Sequence, residues 1–123
     1  MDRVRFITHQ GKQVLLVDST NASLEEGIRI ADKARSVVCT QQPHSALILI
    51  DITGAKISRE SVTHSKEVTA LDRPYVKRAA LVGADRLPNA FYEAIKRFSQ
   101  RDFPRFNTRE QALDWLVAEE SAT

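Results

Sequence analysis

The stretch LILIDITGAKISRES, residues 47–61, decides how the chain is read. With Ala46 it opens on a continuous apolar run, ALILIDI at 46–52, of the kind expected from a central strand covered on both faces rather than from an edge strand, which would alternate. The run ends in Asp51, Thr53 and Gly54, and a polar segment carrying Ser58 and Ser61 follows. A helix is predicted to start after Ser58 and run toward Leu71. Its apolar face is thin: Val62 and Val68, alongside Ser61 and Ser65. A helix so poor in large apolar groups packs weakly or lies beside a surface that something else covers. The stretch is thus a strand handing over to a helix.

The same alternation of elements extends in both directions. Upstream, RVRFIT at 3–8 alternates charged and apolar residues with a period of two, Gly11 marks a tight turn, and VLLV at 14–17 returns as the second strand of a hairpin. Ser23 followed by Glu26 forms a capping box for a helix whose stripe is Leu24, Ile28, Ala31, Ala34 and Val38. Gly27 inside that helix costs roughly 1 kcal/mol relative to Ala, and close approach of the helix to the sheet would be one reason for it. Downstream, VKRAALVG at 76–83 is a strand ending on glycine, Pro88 suits the first turn of a helix over Ala90, Phe91, Ala94, Ile95 and Phe98, and PRFN at 104–107 is a short strand. Thr108 and Gln111 form another capping box ahead of Ala112, Trp115 and Leu116. Strands alternating with helices predict one α/β domain with a mixed sheet, mostly parallel after the opening hairpin, of four or five strands and about four helices. The expected core includes Leu16, Ile48, Ile50, Leu81, Phe91, Ile95, Phe98 and a largely buried Trp115.

Composition agrees with a single globular unit. The chain has 123 residues, 42% apolar and 28% charged, with four Gly and four Pro, enough for one hydrophobic core and too few residues for two. The domain is expected over 3–118, with a frayed tail at 119–123. The amino terminus carries Asp2, Arg3 and Arg5 and lacks the apolar stretch of a signal peptide, while the longest aliphatic run, ALILI, is far short of the ~20 residues needed to cross a bilayer. The lone Cys39 fits a reducing cytoplasm. No membrane insertion is expected, and a net charge of +2 does not announce nucleic-acid binding. The segment from Asp72 to Arg109 nevertheless holds nine basic residues against four acidic ones. Either these are the charges of a solvated helix face and loops, or Arg73, Lys77 and Arg78 offer contacts to an anion.

Four segments together, VLLVD, ILIDITG, VKRAALVGA and FNTREQALDWLV, resemble the STAS superfamily, in its branch similar to the sporulation anti-sigma-factor antagonist and discussed beside CRAL/TRIO lipid-transfer domains. The resemblance spans roughly residues 3–117. It implies βα units wound in one direction and non-catalytic roles in protein association or ligand sensing. In the phospho-regulated members, the step after the central strand carries a serine, at the start of the second helix, that accepts phosphate. Asp51-Ile52-Thr53-Gly54 matches the approach to that step, but the step itself is replaced by Arg59-Glu60-Ser61-Val62, without the glycine. The resemblance therefore implies an interaction surface at Asp51, Thr53, Gly54, Ser58, Glu60 and Ser61, without the phospho-switch. Read from the residues alone, Ser58 caps the helix and Ser61 packs close to it.

Nothing in the sequence announces catalysis. His9, His44 and His64 are scattered without partners at ligand spacing, and no phosphate-binding or nucleophile-elbow motif is present. No metal, cofactor or enzymatic activity is expected. Asp51 and Asp85 fall at the carboxyl ends of predicted parallel strands, where open sheets hold ligand groups, although an Asp there more often fixes a turn. Two readings follow: a regulatory module that binds an unidentified protein partner through the second helix and its preceding loop, or a module that binds a small apolar or anionic ligand, with a pocket under that thin helix. A homodimer hiding either the first strand or the second helix is also expected.

Overall fold

The computed structural model describes residues 2–100 and 103–118. The predicted frayed tail at 119–123 lies outside them. The elements are β1 (Val4–His9), β2 (Lys12–Asp18), α1 (Leu24–Val38), β3 (Ala46–Asp51), α2 (Arg59–Asp72), β4 (Val76–Val82), a 3-10 turn (Ala84–Arg86), α3 (Asn89–Ser99), β5 (Arg105–Phe106) and α4 (Arg109–Val117). The five strands lie in sequence order in one sheet. β1 and β2 are antiparallel, and β2, β3, β4 and β5 are parallel. This is the mixed, mostly parallel α/β domain that the sequence predicts.

Local chemistry accounts for most boundaries. Gln10 and Gly11 both take positive φ, 50° and 79°, as a two-residue hairpin turn demands when its twist must match that of its strands. Ser23 accepts from the Glu26 amide, and the Glu26 carboxylate accepts from the Ser23 amide, completing the capping box of α1. Pro88 occupies the N-cap of α3, one position ahead of the expected first turn. Thr108 accepts from the Gln111 amide at the start of α4.

The two faces of β3 separate two packed layers. Ile48 faces Val17, Ile30 and Val38 in a cluster covered by α1, while Leu49 joins Val14, Leu16, Ala80, Ala112 and Leu116 beneath α4. Continuous apolarity in this strand is therefore double coverage, as expected. Leu16, Ile48 and Leu81 are buried as predicted. The other expected core residues differ. Phe98 is 41% exposed, because it lies in the last turn of α3, with Lys66 standing 5.3 Å over its ring. Trp115 is half-buried rather than largely buried; its ring packs against Phe106 and is covered by the Arg78 guanidinium at 5.3 Å, so a charged side chain completes the enclosure that core atoms were expected to give. Ile50, Phe91 and Ile95 are also only half-buried.

That partial exposure follows from how α2 is held. It leans on α1 and α3, not on the strands. Gly27 does not serve a close approach to the sheet, since a Cβ built there meets nothing within 4 Å. Space lies beneath the helices instead.

Candidate functional site

Between the sheet and the α1, α2 and α3 layer lies a cavity of about 170 Å³. Val17, Ile48 and Ile50 form its floor; Gly27, Ile28, Ala31 and Ala34 of α1 form one side, and Leu87, Ile95 and Phe103 close the other. The roof is α2, which presents Ser61, Val62, Ser65, Val68, Thr69 and Asp72. The thin apolar face seen in the sequence is thus a wall that is half hydroxyl, set opposite an aliphatic floor. Among the lining residues Leu24 and Lys56 are exposed, whereas Val38, Asp72 and Phe103 are buried. The cavity therefore opens toward the carboxyl ends of the strands and deepens toward the end of α2, a run of roughly 16 Å from Ser61 to Asp72 at 1.5 Å per helical residue.

Asp72 closes the deep end. It is 9% exposed, and no described residue donates a hydrogen bond to its Oδ1. Burial pushes its carboxyl up to about 6, against a smaller downward pull from Arg35 on α1. As the last residue of α2 it also faces the negative end of the helix dipole. The other ionisable groups on the cavity wall are Lys56 and His64, and His64 is engaged with Asp32 of α1 at 2.7 Å.

The residues assigned from sequence to an interaction surface fall mostly at the mouth end, where many are committed to internal bonds. Asp51 accepts from the Thr53 amide at 3.0 Å and its hydroxyl at 2.7 Å, so it fixes the turn after β3. Asp18 does the same to Thr20 after β2, at 3.1 and 2.6 Å. Arg109 then clamps both carboxylates, with Nε 2.6 Å from Asp51 and one terminal nitrogen 3.2 Å from Asp18. Burial raises the Asp18 carboxyl, but the Thr20 hydrogen bonds and the Arg109 charge outweigh it and hold Asp18 below the usual carboxylate range. This clamp escaped the sequence reading. Its visible signal was the repeated Asp-x-Thr at 18–20 and 51–53.

The adjoining backbone is interlocked. Gly83 takes φ +78°, and a Cβ there would stand 2.1 Å from the Thr53 hydroxyl; Gly54 takes φ +70°, and a Cβ would stand 2.1 Å from the Asn21 side chain. Ser58 caps α2 as expected, accepting from the Ser61 amide at 3.1 Å, and Ser61 does more than pack: it accepts from the Ser58 amide at 2.9 Å and so completes a reciprocal box. Glu60 is exposed in the first turn of α2. Asp85 lies exposed in the 3-10 turn after β4.

Of the three basic residues considered for anion contacts, Arg73 and Arg78 bond to helices on opposite faces of the sheet. Arg73 donates to the Phe98 carbonyl at 2.6 Å, tying the end of α2 to α3. Arg78 pairs in register with Leu47 and donates to the Trp115 carbonyl at 2.8 Å on the α4 side, while Lys77 is the extra residue where β4 slips against Ala46 and Leu47. Among the described residues no three His, Cys, Asp or Glu side chains gather where they could hold a metal ion, and no helix is long and apolar enough to cross a membrane. No protein-family model, curated protein or solved structure matches this chain.

Proposed function

We propose that the chain is a non-enzymatic, STAS-like regulatory module of the cytoplasm whose α1, α2 and α3 layer encloses a small, largely apolar ligand. The observation that carries this reading is the cavity under α2. Protein interiors pack as densely as organic crystals, with few voids larger than a water molecule. A space of about 170 Å³ exceeds that norm and matches cavities of about 150 Å³, lined by aliphatic side chains, that accept benzene. The helix-interior Gly27, which faces this space without a side chain, keeps it open. Thermal denaturation of the purified chain with benzene or hexanol as probes tests the reading. Melting temperature should rise with probe concentration, as linkage requires for a ligand that binds only the folded state. The rise should disappear in Gly27→Leu, whose side chain occupies the space. No rise for wild type with either probe would overturn it.

Protein association through the outer face of α2 is a second reading, favoured by a shallow hollow bordered by Arg59, Glu60, Thr63, His64 and Glu67. Glu60 supplies a permanent charge close to where switchable relatives of the resembled family would add phosphate, at about half the charge. Glu60→Gln should then weaken partner capture without lowering the melting temperature, and unchanged capture would leave the hollow without a role. A homodimer is proposed at the β1 edge, where Phe6 is 43% exposed. Light scattering giving the 13.9 kDa monomer mass at high concentration would exclude it.

A further inference from the structure

We infer that the cavity under α2 takes a short aliphatic or single-ring primary amine, its hydrocarbon along the sheet-side floor and its ammonium on the Asp72 carboxylate. The inference rests on the ligand-binding reading above and adds the chemical class of the occupant.

Asp72 lines the cavity, is nine-tenths buried, and leaves Oδ1 without a hydrogen-bond donor among the described residues. A buried carboxylate in such surroundings is costly unless a donor or cation meets it. The protein offers little compensation. Arg35, the cation whose charge is felt there, is itself exposed on α1, and the carboxyl end of α2 repels negative charge. An isosteric Asn or an apolar residue would avoid the cost. A cation entering from the cavity removes it, because an N⁺–H···O⁻ contact in a low-dielectric site is among the stronger hydrogen bonds.

The wall chemistry selects among cations. An ammonium carries three donors, and Thr69, one turn before Asp72 on the same helix face, is a hydroxyl-bearing residue that also lines the cavity. The floor of Val17, Ile48 and Ile50 admits only hydrocarbon. At about 170 Å³ the space holds one ring or a chain of roughly six to eight carbons. Lys56 and His64 stand toward the Ser61 end, His64 two helical turns or about 12 Å from Asp72, so Asp72 is the ionisable lining residue at the deep end.

Calorimetric titration of the full chain at pH 7.5 with hexylamine, hexanol and hexanoate tests the assignment. Hexylamine should bind roughly tenfold or more tightly than hexanol, as expected when a neutral donor to a carboxylate is replaced by a charged one. Hexanoate should not bind. In Asp72→Asn, which keeps the side chain's shape, amine and alcohol should become equal. Equal affinities in wild type, or an amine preference that survives in Asp72→Asn, would overturn the amine assignment while leaving the cavity a binding site. Failure of all three compounds to bind wild type would overturn the ligand reading and the assignment together.

Discussion

The two faces of the sheet are built on different principles. Beneath α4, small and medium side chains meet closely: Ala80 and Ala112 are fully buried and allow the helix to sit against β3 and β4, with Leu49 and Leu116 filling the interval. On the other face α2 is suspended between α1 and α3, and central residues such as Ile50 remain half-exposed to an internal space. Both faces are covered by helices and carry buried clusters, yet only the face under α1, α2 and α3 leaves a space beside its core. An α/β sheet can therefore assign stability to one layer and leave the other free to accommodate something, because the first layer already fixes the strands in register.

Truncating a side chain on each face tests that division most strongly. Leu49→Ala beneath α4 is expected to cost about 3 kcal/mol, the usual loss when a fully buried Leu leaves a cavity. Ile28→Ala, on the cavity wall, should cost about 1 kcal/mol, since the side chain has few partners to lose. Urea denaturation measures both, and equal losses would break the comparison. The Arg109 clamp joins the two regions at the strand ends. Arg109→Gln is expected to cost about 2 kcal/mol by leaving the buried Asp51 and half-buried Asp18 carboxylates side by side. Because the Thr20 hydrogen bonds and then the Arg109 charge outweigh burial and hold the Asp18 carboxyl below its ordinary range, that part of the stability is present above the unfolded value near 3.8 and disappears as pH falls through the lowered folded value. The variant should therefore lose less on acidification than wild type, a difference that melting curves from pH 6 to pH 2 would read.

Asp72 has the opposite sign. Its carboxyl is raised from 3.8 to about 6, so the folded state favours the protonated form; this contribution is fully present below pH 3.8 and is lost as pH rises through about 6. Asp72→Asn should accordingly stabilise the ligand-free protein at pH 8 by on the order of 2 kcal/mol and leave its stability unchanged at pH 3. A variant no more stable than wild type at pH 8 would show that the carboxylate is compensated. The smallest effect belongs to Gly27→Ala. With nothing within 4 Å of the added methyl, helix propensity alone should raise stability by up to about 1 kcal/mol, and a loss instead would place the helix closer to the floor than the structure does.

Much of the architecture was legible because it depends on neighbours in sequence. Capping at Ser23, Ser58 and Thr108, the Gln10-Gly11 turn and the uninterrupted apolar run of β3 each need only a few adjacent residues to be recognised. The sequence also showed that α2 lacked an apolar face, which is the trace of the cavity. Phe98 and Trp115 were misplaced because periodicity locates a face without saying whether the element that covers it ends short, or whether an Arg from another strand lies over it.

What the sequence by itself determined is the order of elements and the faces they bury, since strand alternation, helical period and caps are local and hydrophobic burial enforces them. Only the tertiary structure decided that Arg109 reaches carboxylates 58 residues and more away in sequence, that Gly27 faces open space, and that Asp72 is buried with no donor to its Oδ1 among the described residues. Those properties depend on distances between segments remote in the chain and on the water excluded between them, and both exist only once the helices have closed over the sheet.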